Sequence, residues 1–316
     1  MKGQDSDSVF KRIGVRAQSD QLIIREDISS NVIFEEASGT KIRNLQVDEG
    51  ATEFDDRDRA DVVILTALNR PEHEQVLEIF GPDWEMIGRQ GVVFYRTNLQ
   101  TEGDPISIVT AVQTDMGLVP ATILAAKATQ SWQPNLLAMV GICAGVSEKV
   151  NIGDVVIGRH VFDYGSGKIE SGVLQPDYEP VTMSDGLCGL AQDLARDRNA
   201  LISIRESFPT AEGRPTTELK VHLGAIASGA AVVADDSIVK DIQSHKRSLY
   251  AIDMEAYGVA RTAASSVSPT KHIIIKGVQD FANPDKNDQF REYSAFVSAR
   301  VLKFFLQRYW SSVSTF

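Results

Sequence analysis

The stretch at residues 249–256 reads LYAIDMEA, and a second stretch at residues 273–282 reads IIIKGVQDFA. In each of them an apolar run leads directly into a segment that carries a carboxylate. Apolar runs of this length, bounded by polar residues, are typical of buried parallel strands. The ends of such strands lie at the sheet edge where open α/β folds bind ligands. We therefore predict an α/β fold in which Glu255 and Asp280 share one pocket.

Composition and charge narrow the class of protein. The chain has 316 residues, of which 43% are hydrophobic and 24% charged, which suits one large α/β domain with an appendage or two modest domains. A net charge of -11 without a basic stripe argues against extended binding of nucleic acid or of an anionic membrane. The expected partner is a small molecule.

Cysteine and histidine usage bears on location and on metals. Cys143 and Cys188 are the two cysteines, which gives no disulfide framework and favours a reducing cytoplasm. The longest apolar run, residues 136–146, is shorter than the roughly 18 residues of a membrane span. His73 and Glu74 lack the second histidine of a zinc motif, and the other histidines are scattered. We predict a soluble cytoplasmic protein without a metal site.

The chain divides at about residue 60. Residues 1–60 are predicted to form an N-terminal appendage of unknown role, with β-like pieces at 21–24 and 31–34 and a charged linker at 55–59. Beyond it, strand-like and helix-like segments alternate, which favours one α/β domain over residues 61–316.

Within that domain the elements are predicted from apolar periodicity and helix signals. Residues 174–217 are polar and weakly periodic, and we expect loops and one surface helix there. The predicted strands are 62–65, 106–112, 136–142, 154–161, 221–227, 249–252 and 273–278, and the predicted helices are 71–77, 119–132, 237–244, 256–264 and 289–309.

A glycine-rich turn, GICAGV at residues 141–146, follows a predicted strand. Without side chains, Gly141 and Gly145 would let a ligand approach the backbone closely. A tight crossing from strand to loop is the alternative, because short glycine pairs are common at strand ends.

Together with three other ordered blocks, this turn resembles the nucleoside phosphorylase superfamily, in particular the nucleosidases that cleave methylthioadenosine and S-adenosylhomocysteine. The resemblance begins at residue 61 and leaves residues 1–60 uncovered. It implies a three-layer fold with a central mixed sheet flanked by helices, a homo-oligomer, and a reaction without a cofactor. The blocks are LTAL at 65–68, GICAGV at 141–146 with GDVV at 153–156, DMEA at 253–256 and GVQDFA at 277–282.

Three spellings are most similar to one branch of that superfamily. The segments GICAG, DYGSGK and MEAYG, at residues 141–145, 163–168 and 254–258, resemble the branch used as effector modules in immune and antiphage proteins. The resemblance to this branch implies an adenine nucleotide as the substrate.

The resemblance assigns roles to two acids. Cleavage between a purine and ribose is helped by protonation of N7, which requires a carboxylic acid that is neutral near pH 7. Asp280 matches this proton donor. The sugar C1′ develops oxocarbenium charge, and a carboxylate bonded to the 2′ and 3′ hydroxyls orients the ring and stabilises that charge. Glu255 matches this role, with Met254 packing under the ribose.

A third acid is expected to hold the attacking water. The match falls on Glu72, but one inserted residue just before it leaves Glu74 open. Each acid also has a structural alternative: Glu72 and Glu74 could favour a helix N-terminus, Asp253 and Glu255 could cap the next helix, and Asp280 could open a turn.

Further residues are predicted to contact the substrate. Phe162 and Tyr164 could wall the purine, although core packing is an equal alternative for both. The others are Gly141, Ile142, Cys143, Ala144, Gly145, Ile226, Asp253 and Phe281.

Departures from the family pattern bear on the acceptor. Met139 and Ile142 stand where phosphorolytic relatives bind phosphate, and neither side chain can contact an anion. Water is therefore the predicted acceptor. Gln279 replaces the small hydroxyl or thiol residue that often precedes the catalytic aspartate, and Ile226 lies near the position where nucleosidases place a stacking phenylalanine.

The 5′ end of the substrate is left open between two chemistries. A thioether needs an apolar pocket, which Leu68 and Phe290 could supply, whereas a phosphate chain needs cations. The candidate cations are Arg70, Lys168, Lys286 and Arg291.

We predict hydrolysis of the N-glycosidic bond of a purine nucleoside or nucleotide, with cleavage of ATP to adenine and ribose triphosphate as one version. The alternatives are a phosphate-dependent phosphorylase and a nucleotide-binding sensor without turnover.

Overall fold

The computed structural model of the protein describes residues 23–26, 32–35, 41–47, 59–231, 235–266, 270–282 and 288–315. Its strands are β1 (Ile23–Glu26), β2 (Val32–Glu35), β3 (Lys41–Val47), β4 (Val62–Thr66), β5 (Asp83–Arg89), β6 (Val92–Leu99), β7 (Ile106–Val112), β8 (Leu136–Gly145), β9 (Val155–Asp163), β10 (Gly167–Glu170), β11 (Val173–Pro176), β12 (Val181–Thr182), β13 (Val221–Ser228), β14 (Leu249–Asp253) and β15 (Lys271–Asp280).

Helices separate most of these strands. A short helical turn, Asn69–His73, precedes the first helix. The helices are α1 (Glu74–Phe80), α2 (Leu118–Trp132), α3 (Asp185–Arg196), α4 (Arg198–Glu206), α5 (Asp236–His245), α6 (Ala256–Ser265) and α7 (Arg291–Val313).

Alternate residues of β4 face two different helical layers. Val62 and Ile64 belong to a core that includes the apolar face of α7. Val63 and Leu65 belong to a second core, which includes residues of α2 and α6. The run VVILT is buried throughout, as expected of a strand covered on both faces. The predicted α/β fold with three layers is thus confirmed.

Five strands close into a ring beside the open part of the sheet. β8 pairs with both β14 and β15, β15 pairs with β9, β9 pairs with β13, and β13 pairs with β14. β4, β7, β6 and β5 extend the sheet from the other edge of β8. The two quoted stretches therefore lie on either side of β8, with β15 parallel to it and β14 antiparallel to it.

The polar region between β11 and β13 holds more regular structure than the sequence predicted. Instead of one surface helix, α3 and α4 follow each other directly. The Ser184 hydroxyl accepts from the N–H of Leu187 at the start of α3, and Asp197 accepts from the N–H of Ala200 at the start of α4. Both are favoured N-cap residues, which explains why two short helices form in a weakly periodic segment.

Part of the predicted appendage is described. β1 and β2 overlap the two β-like pieces, and β3 pairs in parallel with β5 at the edge of the sheet. Most of the charged linker at residues 55–59 lies outside the described residues. The division of the chain at residue 60 stays a prediction.

Across the described parts of the chain, every helix is too short or too polar to cross a lipid bilayer.

Candidate active site

A pocket of about 360 Å³ lies where several strands of the sheet end. This volume is in the range of small-molecule sites. Its walls come from the segment after β4, the end of β8, the segment after β14, the end of β15 and the start of α7. The lining residues are Ala67, Leu68, Glu72, Met116, Ile142, Cys143, Ala144, Ala231, Ile252, Asp253, Met254, Glu255, Gln279, Asp280, Asp288 and Arg291.

Glu72 lies at this pocket in the turn ahead of α1. Its Oε2 accepts hydrogen bonds from the backbone N–H groups of Ala67, at 2.8 Å, and Leu68, at 2.9 Å. Its Oε1 accepts from the N–H of Ile142 at 2.9 Å. Three backbone donors compensate the burial of the carboxyl group and fix its orientation. Oε1 keeps a further lone pair that a water molecule in the pocket can use.

Gly141 makes room for this carboxyl group. A Cβ atom added at Gly141 would lie 2.3 Å from Glu72 Oε1, which no side chain could accommodate without a shift. The glycine-rich turn therefore admits a protein carboxylate at Gly141, where a ligand was predicted. At the other end, Gly145 is packed against Val150 and Val278 and does not line the main pocket.

Glu74, the alternative to Glu72, points elsewhere. Its carboxylate pairs with the guanidinium of Arg70 on the surface, and its side chain is 39% exposed. Of the two candidates for the water site, only Glu72 lines the pocket.

Glu255 lies at the junction of β14 and α6 and is buried. Its Oε1 accepts a hydrogen bond from the backbone N–H of Gly117 at 2.9 Å. Burial raises the pKa of Glu255 to about 7, the Lys276 ammonium opposes this shift, and the Asp253 carboxylate adds to it. Met254, its neighbour, also lines the pocket.

Asp253 has its oxygens engaged by the protein. Oδ1 accepts a hydrogen bond from the Ser228 hydroxyl at 2.6 Å, and Oδ2 accepts from the N–H of Ala256 at 3.0 Å. Oδ2 also lies 3.1 Å from Nζ of Lys276. Although Asp253 borders the pocket, its side chain is only 1% exposed, so the geometry favours the helix cap over the predicted contact with substrate.

Lys276 is a charged residue that the sequence reasoning missed. It was counted within an apolar strand, yet its side chain is fully buried beside Asp253 and 3.9 Å from Glu255 Oε2. The available signal was a lysine in an isoleucine-rich run, because a buried lysine requires a partner of opposite charge.

Asp280 ends β15, is buried and lines the pocket. The side-chain amide of Gln279 donates a hydrogen bond to its Oδ2 at 3.0 Å. The residue that departs from the family pattern thus contacts the predicted acid directly and restricts its orientation.

Cys143 also borders the pocket. Burial raises the pKa of this thiol well above its ordinary value, and Sγ donates to the carbonyl of Gly277 at 3.5 Å. A buried thiol that stays protonated is a packing group and not a nucleophile.

Three of the predicted base-contacting residues do not line the pocket. Ile226 is fully buried in the core between the sheet and α2. Phe162 is fully buried against Tyr178, with ring centroids 4.6 Å apart. Tyr164 is half-buried and donates a hydrogen bond to the carbonyl of Ala231, a lining residue, at 3.2 Å. The packing alternative holds for Phe162, and Ile226 belongs to the same category.

The remaining predicted contacts divide in the same way. Lys168 lies on the exposed β10–β11 hairpin and pairs with Glu170 at 3.2 Å, away from the pocket. Phe281 borders a separate small cavity that also contacts Gly145. Lys286 lies outside the described residues. Met116, Ala231 and Asp288 line the pocket without any pattern in the sequence that indicated it.

Curated relatives resemble this chain over most of its length. An uncharacterised protein y4jS of Sinorhizobium fredii is 28% identical over 259 residues, covering 80% of this chain and 62% of that protein. The ATP nucleosidase Cap17 of Escherichia coli is 25% identical over 261 residues, covering 79% of this chain and 51% of that protein. The chain thus spans about half to three fifths of the length of these relatives.

Smaller enzymes match as well. The 5′-methylthioadenosine/S-adenosylhomocysteine nucleosidase of Bacillus subtilis is 25% identical over 197 residues, covering 61% of this chain and 78% of that enzyme. The solved structure of futalosine hydrolase from Helicobacter pylori superposes with a TM-score of 0.62 at 21% identity, covering 78% of this chain and 96% of that one. At that identity the structural match shows the fold alone.

The family itself is shown by a profile match. The model described as the Phosphorylase superfamily matches residues 61–307, which confirms the resemblance predicted from the four sequence blocks. The chain therefore belongs to the phosphorylase superfamily.

Proposed function

We propose that the protein hydrolyses the N-glycosidic bond of a purine nucleoside or nucleotide, releasing the free base and a ribose product. One observation carries the proposal. Glu72, Glu255 and Asp280 come from three distant parts of the chain, and all three line one pocket. The relatives named as nucleosidases support the same reaction.

Each acid has a distinct task in this reaction. Asp280 donates a proton to N7 of the purine, so the base leaves as a neutral molecule. Glu255 accepts hydrogen bonds from the 2′ and 3′ hydroxyls and stabilises the positive charge that develops at C1′. Glu72 binds the water that attacks C1′ from the opposite face, using the free lone pair of Oε1. The proton of that water passes to Glu72 as the bond to C1′ forms.

Charge at the pocket supports water over phosphate as the acceptor. Five carboxylate residues line it, and Arg291 is the one cation among its described lining residues. A phosphate anion next to C1′ would face this negative charge. The backbone N–H of Ile142, in the glycine-rich turn, is already occupied by Glu72. Both features disfavour phosphorolysis.

The 5′ group of the substrate is proposed to be a phosphate chain held by Arg291. Of the cations named from sequence, Arg291 lines the pocket, whereas Lys168 and Arg70 form ion pairs on the surface. The Nε atom of Arg291 is buried without a hydrogen-bond partner among the described residues, and NH1 lies 3.8 Å from Asp288. Cap17, named an ATP nucleosidase, supports ATP as the nucleotide. A role as an antiphage effector is proposed from the resemblance at residues 254–258.

A homo-oligomer is proposed with this function. Met116, Val119 and Ile123 are 55%, 69% and 52% exposed and recur at spacings of three and four residues along α2, next to the pocket. A cytoplasmic location is proposed as well, since Cys143 and Cys188 are both free. Light scattering on the purified protein gives its mass against the 34.6 kDa of one chain.

A substrate panel tests the proposed function. The protein is incubated with adenosine, methylthioadenosine, AMP and ATP, with and without inorganic phosphate, and free base is measured by chromatography. Release of adenine without phosphate supports hydrolysis. Release that requires phosphate would establish phosphorolysis, and tight binding of a nucleotide without base release over hours would establish a sensor.

A further inference from the structure

A fully buried ammonium lies behind the pocket and takes no part in the chemistry described so far. The side chain of Lys276 is 0% exposed. Its Nζ lies 3.1 Å from Asp253 Oδ2 and 3.9 Å from Glu255 Oε2. No well-aligned hydrogen-bond acceptor for Nζ occurs among the described residues, so charge, more than directional bonding, holds it there.

The strand register brings the same ammonium close to the water site. Lys276 on β15 pairs in register with Gly141 on β8, and Gly141 is the residue against which the Glu72 carboxyl group packs. Glu72 acts electrostatically on Lys276, as do Asp253 and Glu255. One buried cation is therefore shared by three carboxylates, two of which line the pocket.

The proposed reaction needs both pocket carboxylates in their charged form. Glu72 must accept a proton from water, and Glu255 must stabilise positive charge at C1′. Two buried carboxylates close together disfavour double ionisation, because each suffers desolvation and repulsion from the other. A cation between them offsets both effects.

We propose that Lys276 is a positioning residue for the proposed hydrolysis, whose ammonium allows Glu72 and Glu255 to be ionised together around the bound ribose. This inference rests on the proposed function. The ammonium does not touch the substrate and acts only through the two acids.

The surroundings of Glu255 define what this cation opposes. From β15 it faces Lys276, from β14 Asp253, from the turn before α1 Glu72, and from the segment before α2 the N–H of Gly117. The pocket wall adds the charged residues Asp280, Asp288 and Arg291.

The direction of two pKa values agrees with this arrangement. Burial lowers the pKa of Lys276, but Asp253, Glu72 and Glu255 outweigh burial and hold it above its ordinary value, so the residue stays protonated. Glu255 has a raised pKa of about 7 even with this cation beside it.

A titration that needs no substrate tests the charge relationship. Glutamate side chains are labelled with carbon-13 at the carboxyl group, and the Glu255 signal is assigned as the one missing from E255Q. In K276M we expect the Glu255 midpoint to move up by at least about one pH unit, because a nearby opposite charge shifts a carboxyl pKa by about 1–3 units. In K276R, which keeps the charge, the midpoint should stay at the wild-type value. A folded K276M with a wild-type midpoint overturns the proposal.

A second pair of variants covers a failure of K276M to fold, since that change leaves Asp253 buried without its counter-ion. D253N and the double variant D253N/K276M remove first one and then both members of the pair. The Glu255 midpoint should be higher in the double variant than in D253N. Equal midpoints in the two proteins contradict the role of Lys276.

Kinetics separates this inference from the proposed function. In wild type, kcat/KM for base release should rise with pH as Glu255 ionises, and the rising limb should move to higher pH in K276M but not in K276R. A wild-type protein that releases no base from any substrate refutes the proposed function, while the titration still decides the charge relationship. A K276M enzyme whose titration shifts but whose rising limb does not overturns the positioning role.

Discussion

The carboxylate of Glu72 accepts a hydrogen bond from the backbone N–H of Ile142 at 2.9 Å, joining residues that lie 70 positions apart in the chain. This contact ties the turn before α1 to the end of β8. It places the proposed water-binding oxygen over the glycine-rich turn, and it distinguishes Glu72 from Glu74, which no comparison of residue types could do.

The first prediction compares these two glutamates. E72Q should lower the rate of base release by about 10²–10⁴-fold, because the amide cannot take the proton of the attacking water. E74Q should retain nearly wild-type turnover, because Glu74 pairs only with Arg70 at the surface. Steady-state kinetics on the two matched variants decides between them, and a severe loss in E74Q with normal E72Q would reverse the assignment.

A second prediction concerns Gly141. G141A should displace the Glu72 carboxyl group, since the new Cβ would lie 2.3 Å from Oε1. A displacement of about 1 Å in a catalytic group can reduce turnover on the order of 10²-fold. G189A, on the exposed face of α3 with nothing within 4 Å of the added Cβ, serves as the control and should keep full activity. Equal activity of both variants would mean that Glu72 does not need its present position.

The third prediction follows from the pKa of Glu255, which is raised from 4.5 to about 7 in the folded protein. The folded state holds a proton that the unfolded state releases, so this contribution to stability is fully present below about pH 4.5 and is lost as pH rises through about 7. E255Q removes that loss. Its Tm relative to wild type should therefore increase between pH 5 and pH 8 in thermal unfolding. A constant difference across this range would contradict the raised pKa.

The fourth prediction addresses the 5′ group. R291M should reduce kcat/KM for ATP by about 10–100-fold, the effect of losing a charged hydrogen bond of about 1.5–3 kcal/mol. Methylthioadenosine, which lacks the phosphate chain, should lose less than about threefold. K168M is the matched control, because Lys168 lies on the exposed hairpin. Equal losses for both substrates in R291M would exclude a selective phosphate contact.

Much of the fold was predictable because local patterns decide it. The carboxylates after Ile252 and Val278 follow buried strands, and such strand ends meet at one pocket in an α/β fold. The charge of Lys276 was lost in the same pattern, because a single lysine in an isoleucine-rich strand does not change the apolar average. Its partners, Asp253 and Glu255, lie on a strand that is not adjacent to it.

The missed contacts have physical reasons of their own. Phe162 and Ile226 were assigned to the base from position along strands, but which face of a strand is turned to the pocket depends on how the ring of β8, β15, β9, β13 and β14 closes. Two caps, at Ser184 and Asp197, stabilise helices where periodicity is weak. Such tertiary and capping effects are not visible in an apolar pattern.

Asp280 provides the most direct test of the central claim, which is that this pocket breaks a purine N-glycosidic bond by acid-assisted hydrolysis. Free adenine is measured over time with wild type and D280N in phosphate-free buffer, and circular dichroism confirms that both are folded. We predict steady release of adenine by wild type and a loss of about 10²–10⁴-fold in D280N, because an amide cannot donate the required proton. Undiminished release by D280N, or release by wild type only after phosphate is added, would contradict the account.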